Sequence, residues 1–327
     1  MLRRRAPCLR RITRSTLTST TSRAVSRPSY PVRCLTSTAC SMAEHLSFAK
    51  DNFSISGASG LYDRARPSYP PAAISQLLSS LPQGAVVVEL GSGTGLFTRG
   101  FLQAAAAEGS EGKVKSLLAV EPSEGMRAAF EMGLEGLRDA QGRVGGVEVV
   151  CTEGTFDKVP VESGSVDLVV IAQAFHWTGT SGGPAVEEIA RILKPGGTWA
   201  KIWNLEDPET AWVRGIRGVY EEFEAGTPQY RLGLWKHIWD LPSFSRLFSS
   251  PEEHTTFRRA LPTNEDLVVD RVFSKSYITA LSDEEKKGVE EKVREVVRQG
   301  EGKKWIKEEE GTFEYPYKTD LFVTRRL

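Results

Sequence analysis

Val86-Val87-Val88-Glu89-Leu90-Gly91-Ser92-Gly93-Thr94-Gly95 is the stretch on which the fold turns. Ala85 to Leu90 is short, apolar and β-branched, which predicts a strand buried on both faces. The glycines that follow let the backbone turn sharply and approach a ligand where a side chain would collide. Gly95 to Ala107 then reads as a helix. A glycine-rich turn between a strand and a helix is the setting in which such a motif holds a nucleotide-like ligand. Dinucleotide sheets place the third glycine three residues after the second, whereas Gly95 follows Gly93 by two. Glu89 adds an acid suited to a ligand that brings an ammonium group rather than a pyrophosphate.

Outward from this stretch, short apolar runs alternate with amphipathic ones, the pattern of a parallel sheet covered on both faces. Pro71 to Leu78 predicts a helix with proline in its first turn. Ser116 to Glu121, Val147 to Cys151, Val166 to Ala172 and Thr198 to Trp203 predict four more strands. Between them lie helices at Ser123 to Met132, with Ser123 a natural N-cap, and at Ala185 to Leu193. Residues 205–250 are rich in aromatics and read as helical, with His254 to Ala260 a sixth strand. Ser282 to Arg298 reads as a charged amphipathic helix, and Thr312 to Arg325 alternates like an antiparallel edge strand. The expected fold class is α/β, a Rossmann-like seven-stranded sheet, mostly parallel with an antiparallel last strand, carrying a helical insertion. The corresponding divisions are a leading segment 1–40, a nucleotide-binding core 41–204, an aromatic-rich lid 205–300 containing strand six, and a closing strand within 301–327.

The balanced charge of the 327 residues, 42 basic against 42 acidic, averages two unlike regions. Residues 1–40 hold nine arginines and no acid, which leaves 33 basic residues against 42 acidic ones in the body, a net charge of −9. A body that acidic repels phosphate backbones, so nucleic acid is not the expected partner. No apolar run is long enough to span a bilayer, and no membrane association is expected. The leading segment has the Arg-, Ser- and Thr-rich, acid-free composition of a mitochondrial transit peptide, with Arg33-Cys34-Leu35-Thr36 as a processing site. Initiation at Met42 would instead leave the protein in the cytoplasm. Of four cysteines only Cys151 lies in the body, and no Cys/His cluster has metal-ligand spacing, so neither a disulfide nor a metal is expected there.

Three further stretches carry chemistry. In Leu118-Ala119-Val120-Glu121-Pro122-Ser123, an acid ending the second strand can accept bonds from both hydroxyls of a ribose. Met126 just beyond is placed to pack on an adenine face or in the core. In Glu153-Gly154-Thr155-Phe156-Asp157, past the third strand, an acid can accept from an adenine amino group or remain a solvated loop acid. Ala172-Gln173-Ala174-Phe175-His176-Trp177 ends the fourth strand, and ligands of parallel sheets sit outside the carboxyl ends of the strands.

Taken with Tyr62-Asp63-Arg64-Ala65-Arg66-Pro67 and Lys194-Pro195-Gly196-Gly197, these motifs resemble the class I S-adenosylmethionine-dependent methyltransferases of the type 11 group. Trp203-Asn204, Ser274-Lys275-Ser276-Tyr277 and Tyr315-Pro316-Tyr317-Lys318-Thr319 resemble the branch of the trans-aconitate methyltransferases and their fungal relatives. The resemblance implies S-adenosyl-L-methionine as cofactor. It implies contacts from Glu89, Gly91, Gly93 and Gly95 in the first loop, and from Glu121, Met126, Asp157 and Gln173 beyond it. Arg66 is implied to reach the methionine carboxylate, with packing or a surface role as its alternative.

Sulfonium methyl transfer is an in-line displacement that depends on holding the acceptor close, aligned and away from water. A carboxylate acceptor needs no base, whereas a hydroxyl or amine does. His176 is the candidate catalytic base; the competing reading is a histidine packing the pocket mouth beside Trp177. Trp212, Tyr220, Tyr230, Trp235 and Trp239 are expected to divide between lid and core. Arg214, Arg231 and Lys236 are candidates for holding an anionic small-molecule substrate, possible surface residues though they are, and a carboxylic acid methylated on oxygen is the expected acceptor. Two other functions fit less well. A nicotinamide-dependent oxidoreductase conflicts with the glycine spacing and the antiparallel last strand, and a non-catalytic mitochondrial assembly factor that binds S-adenosylmethionine would have a filled acceptor cavity.

Overall fold

β1 (Ala85–Leu90) lies at the centre of an eight-stranded sheet in the computed structural model, which describes residues 58–107, 112–224 and 226–327. The transit-like segment and most of the loop from Gly109 to Lys113 lie outside the described residues. The strand order is β3-β2-β1-β4-β5-β8-β6, where β2 is Val114–Val120, β3 Glu148–Thr152, β4 Val166–Ala172 and β5 Leu193–Glu206. The remaining strands are β6 (Glu253–Thr263), β7 (Trp305–Lys307) and β8 (Thr312–Arg325), with the short β7 pairing β8 off the main path. The first five strands are mutually parallel, and β8 runs antiparallel to both β5 and β6. An order that reverses at β1 and β4 leaves a crevice beyond their carboxyl ends, the place where open α/β sheets bind ligands.

The strands read from the sequence are present within a few residues of their expected limits, and β4 matches end for end. Two expectations are corrected: the sheet has eight strands rather than seven, because the short β7 adds to β8, and β8 is not an edge strand. It pairs with β5 through Tyr317 to Arg325 and with β6 through Phe313 to Val323, so the edge on this side is β6, whose side chains largely alternate between exposed and half-buried. The alternation in Thr312 to Arg325 arises because the two sheet faces are unequally covered, and it says nothing about which strand ends the sheet.

Helices α1 (Ala58–Ala65), α2 (Pro71–Ser79), α3 (Leu96–Ala105), α4 (Glu124–Glu135) and α5 (Gly183–Ile192) accompany the parallel half. One core cluster joins Phe97, Phe101 and Phe130 to the inner faces of β1 and β2, and a second joins Ile171, Trp199 and Trp203 to Ile189 and Trp235. Ser123 caps α4 by accepting from the Met126 amide, as the sequence suggests.

The 205–250 segment is less helical than expected. α6 (Ala211–Glu221) is followed by single turns at Tyr230–Leu232 and Leu234–Asp240 and by the short α7 (Pro242–Leu247). Gly226 and Gly233, both at positive φ, together with Pro228 and Pro242, break the chain too often for long helices. Two helices that the sequence reading passed over, α8 (Glu265–Phe273) and α9 (Ser276–Thr279), follow β6. α10 (Asp283–Gln299) then buries Val289, Val293 and Val297, spaced at i, i+4 and i+8 on one face. These valines form a third cluster with Trp212, Ile216, Val268 and Phe313, and Tyr220 and Tyr277 of the same cluster reach the crevice.

Candidate functional site

The loop after β1 folds with Gly91 at φ 69° and Gly93 at φ 56°, a left-handed region that costs other residues energy. A Cβ on Gly91 would stand 2.8 Å from the Ala174 Cβ, so this glycine permits close packing of two strand ends. A Cβ on Gly93 would meet nothing within 4 Å and would project into open space. Gly95 differs from both. It precedes α3 at φ 78°, and its missing Cβ makes room for the Phe130 ring, 2.7 Å from where that atom would lie.

Glu121 follows β2 and is almost fully buried. Its carboxylate accepts from the Gly93 amide at 2.9 Å and from the Ser123 amide at 2.9 Å. Two backbone donors thus fix the carboxylate at the end of β2, where a ribose diol would meet it. Glu89 at the end of β1 is 1% exposed and accepts from the Thr98 hydroxyl. Burial raises its carboxyl to about 8, with Glu121 adding to the effect and Thr98 and Arg99 opposing it. A buried acid held neutral in this way is ready to ionise when a cation arrives beside it.

A cavity of about 200 Å³ opens from this loop across the ends of the strands. Arg66, Gly91, Gly93, Glu121, Met126, Gln173 and His176 all line it, so seven of the residues singled out from the sequence converge. Glu89 lines an adjoining hollow of about 30 Å³ together with Arg66, Gly91, Gly93 and Gln173. Gly95 and Asp157 line neither space. Asp157 is exposed and accepts from the Thr155 hydroxyl at 2.6 Å, while its neighbour Phe156 faces the cavity. Gln173 sits at φ 58° in a region non-glycine residues rarely occupy, held by its amide bonding to the Ile202 carbonyl and its side chain donating to the Asn204 carbonyl at 2.7 Å. Arg66 donates to the Ser274 hydroxyl at 3.1 Å and to the Ser274 carbonyl at 3.0 Å.

His176 lies in the turn after β4. Burial, aided by the charge of Arg66, pulls its imidazole down to about 3, so it is neutral at physiological pH. Its Nδ1 accepts from the Trp203 indole at 3.2 Å.

The far end of the cavity is built by residues from β5, α6, α8 and α9. Glu206 meets the Arg271 guanidinium at 2.8 Å and the Lys275 ammonium at 3.1 Å, and it accepts from the Tyr220 hydroxyl at 3.3 Å. Burial works against ionising Glu206, yet the two cations hold it well below the usual carboxylate range. Burial pulls Lys275 down to about 7, with Arg271 and Arg66 adding to the fall and Glu206 resisting it. The Arg271 guanidinium and a Lys275 amine poised near 7 therefore face the carboxylate of Glu206. Of the basic residues proposed from the sequence, Arg231 reaches the cavity, where Glu224 and Glu221 pair it. Arg214 donates to the Pro208 carbonyl and Lys236 lies against Trp235 and Trp239, both outside the lining. Arg217 and Arg271 were missed, and Lys275 stood in the sequence only within the family-like stretch Ser274-Lys275-Ser276-Tyr277, with no role assigned. Among the described residues no cluster of His, Cys, Asp and Glu is placed to hold a metal ion.

Residues 88–200 match the methyltransferase domain family. An uncharacterized methyltransferase of Mycobacterium tuberculosis (strain ATCC 25618 / H37Rv) is 33% identical over 165 residues, 50% of this chain and 58% of its own length. The chain thus spans little more than half of such curated relatives. An uncharacterized methyltransferase-like protein of Schizosaccharomyces pombe is 27% identical over 72% of this chain and 83% of its own length. A solved structure from Anaeromyxobacter dehalogenans, described as a candidate Type II methyltransferase, superposes with a TM-score of 0.50 at 18% identity, covering 80% of this chain and 97% of that one. That likeness bears on the fold alone. The matched domain is that of the S-adenosylmethionine-dependent methyltransferases, and the oxidoreductase alternative is not favoured. The residues present fit that cofactor: Glu121 for a ribose, Glu89 for an ammonium group, and open space at Gly93 where the ligand must approach the backbone.

Proposed function

We propose that this chain is an S-adenosylmethionine-dependent methyltransferase whose acceptor is a small carboxylic acid, methylated on oxygen. The observation that carries the reading is the buried cluster at the far end of the cavity, where the Arg271 guanidinium and the Lys275 amine, poised near 7, meet the carboxylate of Glu206. An anion arriving beside a buried amine poised near its pKa draws a proton onto it and gains a charged partner, which a cationic acceptor cannot do. The dimethylglycine N-methyltransferase of Parasynechococcus marenigrum is 32% identical over 58% of this chain and 65% of its own length; its name places the methyl group on nitrogen, and what it supports is an acceptor that bears a carboxylate. The likeness of the tail to the trans-aconitate branch supports the same class.

When bound, S-adenosylmethionine supplies a methyl carbon activated by its attachment to a sulfonium. The chain supplies position. Gly91 and Gly93 let the backbone come close, Glu121 orients a ribose, and the basic end aligns a carboxylate whose oxygen already carries the attacking lone pair. No proton needs to move. The open cavity beside Gln173 and His176 supports catalysis over a binding scaffold. The composition of residues 1–40 supports delivery to mitochondria.

Incubating the purified protein with methyl-labelled S-adenosylmethionine and a metabolite extract tests the reading, with the labelled product identified by mass spectrometry. Base-labile methyl esters of small acids are expected. Label found only on amines, proteins or nucleic acids would overturn the carboxylate assignment.

A further inference from the structure

Trp203 is wholly buried in β5, its indole held by Tyr230 and Trp235 at ring-centroid distances of 4.8 and 4.7 Å and by the edge contact of Phe322. An indole N–H can only donate. Its bond to His176 therefore occupies the Nδ1 lone pair, and the proton of the neutral ring must sit on Nε2. The imidazole borders the cavity beside Gln173, and among the described residues Nε2 has no protein partner. The charged group acting on the ring is Arg66, which disfavours a second proton. A histidine in this state offers the cavity an N–H and no lone pair.

We propose that Trp203 is a positioning residue that locks His176 as an Nε2–H hydrogen-bond donor toward the methyl acceptor, so that this site serves acceptors that arrive as anions and contains no histidine base. The proposal rests on the methyltransferase reading for its acceptor, but not for the lock. In the transfer, a carboxylate oxygen forms the new bond to the methyl carbon, and the pair from the broken carbon–sulfur bond stays on sulfur. His176 holds the other carboxylate oxygen, and its proton remains on Nε2. The assignment reverses the role expected from the sequence, because the ring's one basic atom is already engaged.

Nitrogen-15 NMR of the uniformly labelled full chain tests the lock without any substrate. His176 should show the Nε2–H tautomer throughout pH 5 to 8, with no titration. In Trp203→Phe, which keeps an aromatic ring in the stack but removes the donor, both tautomers should appear. If that variant does not fold, His176→Ala provides the reciprocal reading, and the Trp203 indole proton should move upfield as it loses its acceptor. A wild-type ring protonated on Nδ1, or titrating between pH 5 and 8, would overturn the proposal. On the acceptor identified by the extract assay, His176→Gln should keep the rate within about threefold and His176→Ala should lower it about tenfold, the loss of a donor to a charged group. A base would instead cost about a hundredfold or more in both variants. If no acid is methylated while the tautomer is as stated, the functional reading fails and the lock stands.

Discussion

Glycines that look alike in the sequence have separable jobs, and two substitutions distinguish them. Gly93→Val puts a side chain into the open space above the loop and should abolish S-adenosylmethionine binding in calorimetry. Its stability cost should stay near ~1–2 kcal/mol, that of a left-handed position. Gly95→Ala drives a Cβ into Phe130 and should cost about 2–4 kcal/mol in denaturant unfolding, from overpacking and backbone strain together. Any cofactor that binds the folded variant should do so normally, and equal losses of affinity in the two would refute the distinction. Glu89 makes a prediction in pH. Its folded carboxyl titrates near 8 and its unfolded one near 4.5, so between those values the native state holds a proton that the unfolded state has released. Stability from this group is therefore full below the lower value and declines as pH rises toward 8. Glu89→Gln should flatten that decline, and the difference between variant and wild type in unfolding midpoint at pH 5, 6.5 and 8 isolates Glu89 from Lys275, whose titration near 7 acts in the opposite direction. An unchanged slope would show that Glu89 is ionised in the native protein.

Strands and helices of the parallel half were legible because each carries its own signal: a β-branched run, a capping serine, a glycine turn. α8 had such a signal and was passed over. Asn264 caps it by accepting from the Leu267 amide at 2.9 Å, and Glu265 and Asp266 fill its first turn, as a helix start predicts. The glycine-broken turns after α6 were misread because aromatic residues suggest a helix while their packing against Trp203 and Phe322 is tertiary. α6 carries Arg217, Tyr220 and Glu221 into the cavity, and its distance from α10 is set at Gly215. A Cβ there would lie 2.7 Å from Val296 Cγ1. Gly215→Ala should therefore cost about 1–3 kcal/mol by overpacking and shift the acceptor wall. Calorimetry should find S-adenosylmethionine affinity unchanged while the KM for the acceptor rises, since the glycine loop stands on other elements. Equal loss of both would show that the two ends of the cavity are not built independently.

Across the whole molecule, the cofactor end was readable and the acceptor end was not, for a reason of sequence distance. Gly91, Gly93 and Glu121 sit in recognisable local motifs, whereas Glu206 and Lys275 meet across 69 positions and Arg66 and Ser274 across 208. No spacing rule joins such residues; the sheet order does. Charge is the other property that only the full chain displays. Removal of residues 1–40 would strip nine arginines and leave a body with 33 basic and 42 acidic residues, a change visible in both mass and isoelectric point. An arginine-rich, acid-free leader suits import along a membrane potential and would otherwise add positive charge to a body that has no evident use for it. Endogenous protein recovered from purified mitochondria should begin between Thr36 and Ala43, with an isoelectric point well below the value near 6.9 of the full chain. N-terminal peptide mass spectrometry and isoelectric focusing read these two quantities separately. Full-length protein confined to the cytosol, with Met1 or its processed neighbour at the N-terminus, would refute the targeting proposal and leave the methyl-transfer proposal untouched, because every residue placed at the cavity lies beyond position 60.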